Sequence, residues 1–182
     1  MSAGERLRVD EIRHAFDESF AVAASVASDD HEGLLALRIG GDPFAVRVVE
    51  MAGLVAGRRI VPVPSRAPAL LGLAGIRGVL VPIYRLAVLL GYPEPLDPAG
   101  REEPRWLLLC GREDKVGLAF DRLDGHLRVP RSDLSRADGE GRRHVVEVAR
   151  VGERALPILS LDSLLATIHA RSATPGAGEG RR

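Results

Sequence analysis

Few residues in this chain have the types and spacing that chemistry requires. The histidines His14, His31, His126, His144 and His169 are scattered, and none shows metal-ligand spacing such as H-E-x-x-H. No Gly-x-Ser-x-Gly elbow is present, and no Ser or Cys nucleophile stands beside a plausible base. The run GLAGIRG from Gly72 to Gly78 lacks the Lys-Ser/Thr ending of a phosphate-binding loop. The acidic pairs Asp29-Asp30, Glu102-Glu103 and Glu113-Asp114 sit in stretches that read as loops, where they serve as solvated charge. His14 shares a helical pattern with Asp10 and Asp17, but nothing marks it as a phosphoacceptor. Cys110 is the sole cysteine, which excludes an intramolecular disulfide and a cysteine-based zinc site. Its setting, WLLLC, reads as a small buried strand residue. These absences point to a binding module: no catalytic residue, no metal and no cofactor are expected.

The residue that asks for a role is Arg77, a charge between Ile76 and Gly78 in the stretch Val61 to Gly91, VPVPSRAPALLGLAGIRGVLVPIYRLAVLLG. Pro62, Pro64 and Pro68 keep the backbone extended and lack donors, so the lead-in reads as an edge or loop. Gly72, Gly75 and Gly78 permit positive φ or close backbone approach. Val79 to Ile83 has the β-branched content of a short buried strand, with Pro82 pushing it to an edge or bulge. Leu86, Leu89 and Leu90 then fall at helical spacing, and Gly91 supplies a stop. Two roles for Arg77 stay open, and they are compatible. Its guanidinium could close the fold by bonding loop carbonyls, or it could contact a partner directly. The apolar residues from Ala69 to Ile76 read as core, but Leu70, Leu71 and Leu73 follow Pro-rich backbone and are candidates for an exposed apolar patch beside it.

The elements that must position this stretch are mostly strands. Leu34 to Ile39 and Pro43 to Met51 flank the turn Gly40-Gly41-Asp42 and predict a hairpin. Arg58 to Val63, Arg105 to Cys110, Val116 to Phe120, His126 to Val129, His144 to Val151 and Ala155 to Leu159 are further strand candidates. Arg131 to Arg143 reads as an exposed loop, and Pro93 to Pro104 as a Pro-rich one. Leu161 to Ala170 has the spacing of an amphipathic helix. Residues 1–30 predict an N-terminal amphipathic helix (Val9, Ile12, Phe16 and Phe20 on one edge) and a linker; residues 31–170 form the body, and 171–182 a disordered tail. The hydrophobic fraction is 46% with 4% aromatic, so Leu, Val, Ile and Ala carry the packing. Basic and acidic residues balance at 25 each, which disfavours a nucleic-acid partner, as does the shortage of stacking aromatics. With no apolar run approaching ~20 residues and no signal-peptide core, a cytoplasmic protein is expected.

One internal correspondence stands out. VPIYRLAVLL (Val81 to Leu90) and LPILSLDSLL (Leu156 to Leu165) align without gaps, matching Pro82 with Pro157, Ile83 with Ile158, Leu86 with Leu161, Leu89 with Leu164 and Leu90 with Leu165. This predicts two related β-units, each ended by the same strand-to-helix device.

The Pro-rich lead-in, the Arg-Gly pair and the Pro-containing strand running into a Leu-rich turn resemble the CheW-like domain family, the coupling proteins of bacterial chemosensory arrays. LLALRIGGDPFAVRVVEM and RWLLLCGREDKVGLAFDRL resemble the family's strands in order and spacing, so the likeness covers Leu34 to Ile168. It implies a mainly β fold of two packed five-stranded SH3-like barrels with short helices. It also implies a non-catalytic adaptor, with a CheA-type histidine kinase regulatory domain and the cytoplasmic tip of a methyl-accepting chemoreceptor as partners. Arg77 and Gly78 would be the Arg-Gly pair, with Ile76, Leu73, Leu71 and Tyr84 shaping the contact surface. Tyr84 stands where the family often carries Asp, Gly53-Leu54 where it often has Glu-Ile/Val, and Gly75-Ile76 where a polar residue is common. These departures point to a diverged member. A scaffold for a signalling complex outside chemotaxis, or a small-barrel nucleic-acid binder, is the alternative expectation.

Overall fold

In the computed structural model, residues 30–93, 106–111, 115–137 and 143–172 are described. The chain divides into Met1–His31 and Glu32–Arg182, and the fold below is that of the second unit. The N-terminal amphipathic helix expected from sequence lies outside the described residues; of the tail expected from Arg171, the first two residues belong to the closing helix and the rest lie outside the described residues.

Eleven strands make two sheets. The first contains β1 (His31–Ile39), β2 (Asp42–Arg47), β8 (Arg122–Pro130), β9 (Leu134–Arg136), β10 (Val145–Val151) and β11 (Arg154–Leu159), in the order β8-β1-β2-β11-β10-β9. The second contains β3 (Gly53–Ala56), β4 (Leu70–Ile76), β5 (Val79–Arg85), β6 (Trp106–Cys110) and β7 (Val116–Phe120), in the order β3-β6-β7-β5-β4. A one-turn helix α1 (Leu86–Leu89) follows β5, and α2 (Leu161–Ser172) follows β11. The expected mainly β, two-part architecture is present. The first sheet has six strands because part of the expected loop after Arg131 forms a 3-10 turn (Arg131–Asp133) and the short β9.

Both sheets curl. In the first, β8 and β10 touch although they lie near opposite ends of the strand order. In the second, hydrogen-bonded partners lead from Gly53 to Leu109, Gly117, Ile83 and Gly72. Gly72 in turn lies against Val61 and Pro62. One lap therefore returns to the chain segment it left, advanced from Gly53 to Val61 or Pro62. Such a stagger is what a small closed barrel requires. The expected strand Arg58 to Val63 is reduced to this closure: strand structure is confined to Gly53–Ala56, and beyond it only Val61 bridges, antiparallel, to Leu73.

Three apolar clusters explain the sequence pattern. One lies within the first sheet (Leu34, Ala45, Val129, Ala149, Leu156, Ile158) and one within the second (Ala74, Ile76, Val81, Ile83, Leu107, Leu109, Ala119). The third joins both sheets and helices, and includes Leu35, Leu37, Phe44, Leu108, Leu118, Phe120, Leu86 and Leu164. Successive residues of β6 alternate between clusters: Leu107 and Leu109 face the second barrel's interior, Leu108 and Cys110 the inter-sheet core. A strand buried on both faces reads as a continuous apolar run, hence WLLLC.

The internal correspondence is structural. Each copy is an antiparallel hairpin, β4–β5 or β10–β11, whose second strand then pairs in parallel with a distant strand and ends in a helix. Ile83 and Ile158 are fully buried, and both begin the parallel ladder, opposite Gly117 and Ala45. Pro82 and Pro157 stand one residue earlier. The expectation that Pro82 marks a sheet edge is corrected in this sense: β5 is an interior strand, but at Pro82 its second neighbour has not yet begun, so the missing amide donor is not needed there.

Candidate functional site

The unrepeated feature is the tip of the β4–β5 hairpin. Ile76 pairs with Val79, leaving Arg77 and Gly78 as a two-residue turn. Their φ angles are +50° and +79°, the signature of a type I′ turn, whose twist suits a hairpin. Gly78 adopts this conformation freely; Arg77 does so against Cβ sterics. The corresponding turn of β10–β11 is Gly152-Glu153, with positive φ only at its first residue, so the strained arginine belongs to one copy alone.

Arg77 is exposed and makes no hydrogen bond or ion pair with the described residues, which removes the fold-closing role considered for it. Closure is performed by backbone instead: Val61 N–H donates to Leu73 O at 2.8 Å, and Leu73 N–H to Val61 O at 2.9 Å. Gly72 makes the approach possible, since a Cβ there would sit 2.1 Å from Val61 O. Ile76 is 4% exposed and supports the turn from inside the second barrel. Leu73 is half-buried beside Val61, and Leu71 is half-buried against the second barrel's core. Tyr84 lies away from the turn, between Leu70 and Leu118, packed on the inter-sheet core. Of the six candidate residues, the structure thus brings Arg77, Gly78 and Leu73 to one surface.

Sequence reasoning missed the apolar side chains that surround them. Val79 and Leu80, expected in a buried strand, are 52% and 70% exposed, and Val61 is 55% exposed. Leu80 faces Gly75 across the ladder, which has no side chain to cover it. That register, two residues out from a two-residue turn, was the available signal.

The sequence pattern of the CheW-like domain family matches residues 33–169. The chain belongs to the CheW-like domain family. It is similar to a Bacillus subtilis (strain 168) relative named "Chemotaxis protein CheW", with 22% identity over 148 residues, 79% of this chain and 93% of the relative. A Rhizobium etli relative, "Probable chemotaxis protein CheW", is 27% identical over 165 residues, covering 85% of this chain and 99% of the relative. The crystal structure of scaffolding protein TtCheW from Thermoanaerobacter tengcongensis aligns with a TM-score of 0.64 at 14% identity, over 73% of this chain and 91% of that one. That likeness supports the fold.

Elsewhere in this CheW-like domain the charged groups serve the scaffold. Arg47, at the end of β2, bonds Glu147 of β10 and, at 3.4 Å, Oε1 of Glu50; Glu32 of β1 lies 3.9 Å from its Nε. Glu50 Oε2 accepts a hydrogen bond from Leu161 N–H at 3.1 Å, satisfying a first-turn donor of α2. Arg131 approaches Glu32 at 3.2 Å. The β1–β2 turn is held by Tyr92, whose hydroxyl bonds Asp42 and whose ring occupies the space a Cβ on Gly40 would need. Asp124 accepts from Arg122 and Arg38, and these hydrogen bonds hold its carboxyl below the usual range. Burial pushes the Cys110 thiol up to about 12, with Asp162 adding to the effect. Among the described residues no group of three or more His, Cys, Asp or Glu could hold a metal, and no helix is long and apolar enough to cross a membrane.

Proposed function

We propose that this CheW-like chain is a non-catalytic chemosensory adaptor, binding the regulatory domain of a CheA-type histidine kinase and the cytoplasmic tip of a chemoreceptor in a pathway controlling chemotaxis or motility. Family membership and relatives named for chemotaxis support the pathway. The observation that carries the binding site is Arg77: an exposed arginine in a left-handed turn, with no bond to the described fold. A residue that strains its backbone and bonds none of the described residues around it is explained by a contact outside the chain. Arg77, Gly78 and Leu73, with Val79 and Leu80, form the contact surface; Ile76 and Leu71 hold it in place.

The test is capture of the full chain from its native cell, followed by reconstitution with the purified kinase and receptor. Co-purification of both, a change in kinase autophosphorylation on adding the chain, and loss of binding in Arg77→Ala at an unchanged melting curve are expected. A chain that neither binds nor alters its cognate kinase refutes the reading.

A further inference from the structure

Acidic and basic residues are equal in number across the chain, yet none of residues 51–93 is acidic, while Arg58, Arg59, Arg66, Arg77 and Arg85 fall in that interval. A bias toward arginine codons explains arginine in place of lysine; it does not explain the missing carboxylates. The fold concentrates this asymmetry, because β3, β4 and β5 all come from the interval, and the described residues of β6 and β7 carry no acid either.

The barrel closure decides where the charge goes. Val61 bridges Leu73 in the antiparallel sense, so the residues preceding Val61 run toward the hairpin turn. Ile60 packs against the second barrel's core as the chain makes this approach. Arg58 and Arg59, both exposed, are thereby carried along β4 toward Arg77; the exposed Val61, opposite Leu73, and Leu80, opposite Gly75, lie on the outer face of this hairpin, and the exposed Val79 stands beside the turn on the other face.

We infer that this corner is a docking surface for an acidic protein face carrying an apolar strip; the inference rests on the adaptor reading and names the chemistry of the partner at the same site. Forked guanidiniums pair carboxylates in two-point contacts, and a patch that is basic among the described residues and carries exposed apolar side chains both steers an oppositely charged partner and holds it once docked. The patch lacks what the competing partners need. Among the described residues it has no exposed aromatic platform for bases, and its exposed large apolar members, Val61, Val79 and Leu80, are aliphatic, without the interfacial Trp or Tyr of a membrane-seated surface.

The experiment measures binding of the full chain to the purified kinase regulatory domain and to the receptor tip at 50 to 300 mM salt, for wild type, Arg58→Glu/Arg59→Glu and Leu80→Ser. For one of the two partners, affinity should fall about tenfold over that salt range, and the double reversal should weaken it at least tenfold and flatten the salt dependence. Leu80→Ser should weaken binding and leave the salt dependence unchanged. Arg58→Gln/Arg59→Gln, a milder change, keeps the test valid if the reversal disturbs folding, and should give an intermediate loss. Wild-type binding that is indifferent to salt and to both double variants overturns the docking surface and leaves the adaptor reading standing. Failure of wild type to bind either protein at any salt refutes both. Equal retention on phosphatidylserine vesicles assigns the patch to lipid and overturns the proposal.

Discussion

Gly72→Ala tests how the second barrel closes. The added Cβ would lie 2.1 Å from Val61 O and 2.9 Å from Pro62 Cα, both backbone atoms that no rotamer change can move. The residue's φ of +145° is also one that alanine rarely adopts. Relief requires the Val61 segment to lift, which breaks the two hydrogen bonds between Val61 and Leu73. At about 0.5–1.5 kcal/mol net each, these contribute about 1–3 kcal/mol, and backbone strain adds roughly 1 kcal/mol. The loss expected in urea denaturation is therefore about 2–4 kcal/mol, large against a typical total of about 5–15 kcal/mol but not enough to unfold the chain. Because Val61 is more than half exposed, little core is lost if the segment detaches. Amide exchange should then speed up at Val61 and Leu73, while Leu108 and Leu118 in the central strands keep their protection. Gly75→Ala is the control: no atom lies within 4 Å of its Cβ position, so its effect should stay within about 0.5 kcal/mol. Wild-type stability and wild-type protection at Val61 in Gly72→Ala would refute closure by this segment.

Four further outcomes follow from the structure. Arg77→Gly relieves a left-handed arginine and gains unfolded-state entropy, two opposing effects of about 1 kcal/mol, so thermal melting should shift little while partner binding falls; a drop of many degrees would restore a structural role to the side chain. Ile83→Ala and Ile158→Ala, at equivalent buried positions of the two copies, should each lose about 2–5 kcal/mol in chemical denaturation, and a neutral result at either would break the equivalence. His144 is held below the ordinary imidazole range by burial and by Arg143 and Arg171. Its unfolded form therefore takes a proton near pH ~6.5 when the folded form does not. That contribution to stability is present above pH ~6.5 and is lost as pH falls below it, so the acid-side decline in melting temperature should flatten in His144→Asn; an identical slope would refute the assignment. Cys110, with its thiol pushed up to about 12, should react with a maleimide at pH 8 only as fast as the chain opens, and rapid labelling of folded protein would contradict its burial.

Much of the architecture was legible because it rests on local rules. The run Val116 to Phe120 is the strand it reads as, and the Pro-containing repeats end in helices at Leu86 and Leu161 as their spacing predicts. What could not be read was which face of a strand meets what. Val79 and Leu80 have the composition of buried residues, but they extend past the strand that would cover them, since the parallel ladder with β7 starts only at Ile83. The same limit hid β9, whose three residues read as loop but pair antiparallel with β10 at the edge of the sheet. Arg77 was legible as unusual and its turn chemistry was available in the Arg-Gly pair. That the barrel closes through backbone at Val61, with no bond from this guanidinium to the described residues, rests on a contact no local pattern encodes.

The two copies of the strand-to-helix device separate scaffold from specificity. Positions that match between them, Ile83 with Ile158 and Leu89 with Leu164, are buried in both and serve the cores. The turn and the segment leading to it also differ between the copies. In the second copy, β10 has β9 as its outer neighbour and its turn is the relaxed Gly152-Glu153. In the first, β4 has only the single bridge to Val61, its turn holds a strained arginine, and Arg58, Arg59 and Leu80 remain uncovered. Were the hairpin tip mere scaffold, selection for stability would favour glycine or asparagine at Arg77 and a polar residue at Leu80, since both changes lower the energy of the isolated domain or its tendency to associate. A second copy with a relaxed turn shows that the fold does not require the strain. The first copy's departures are what the proposed partner contact would explain.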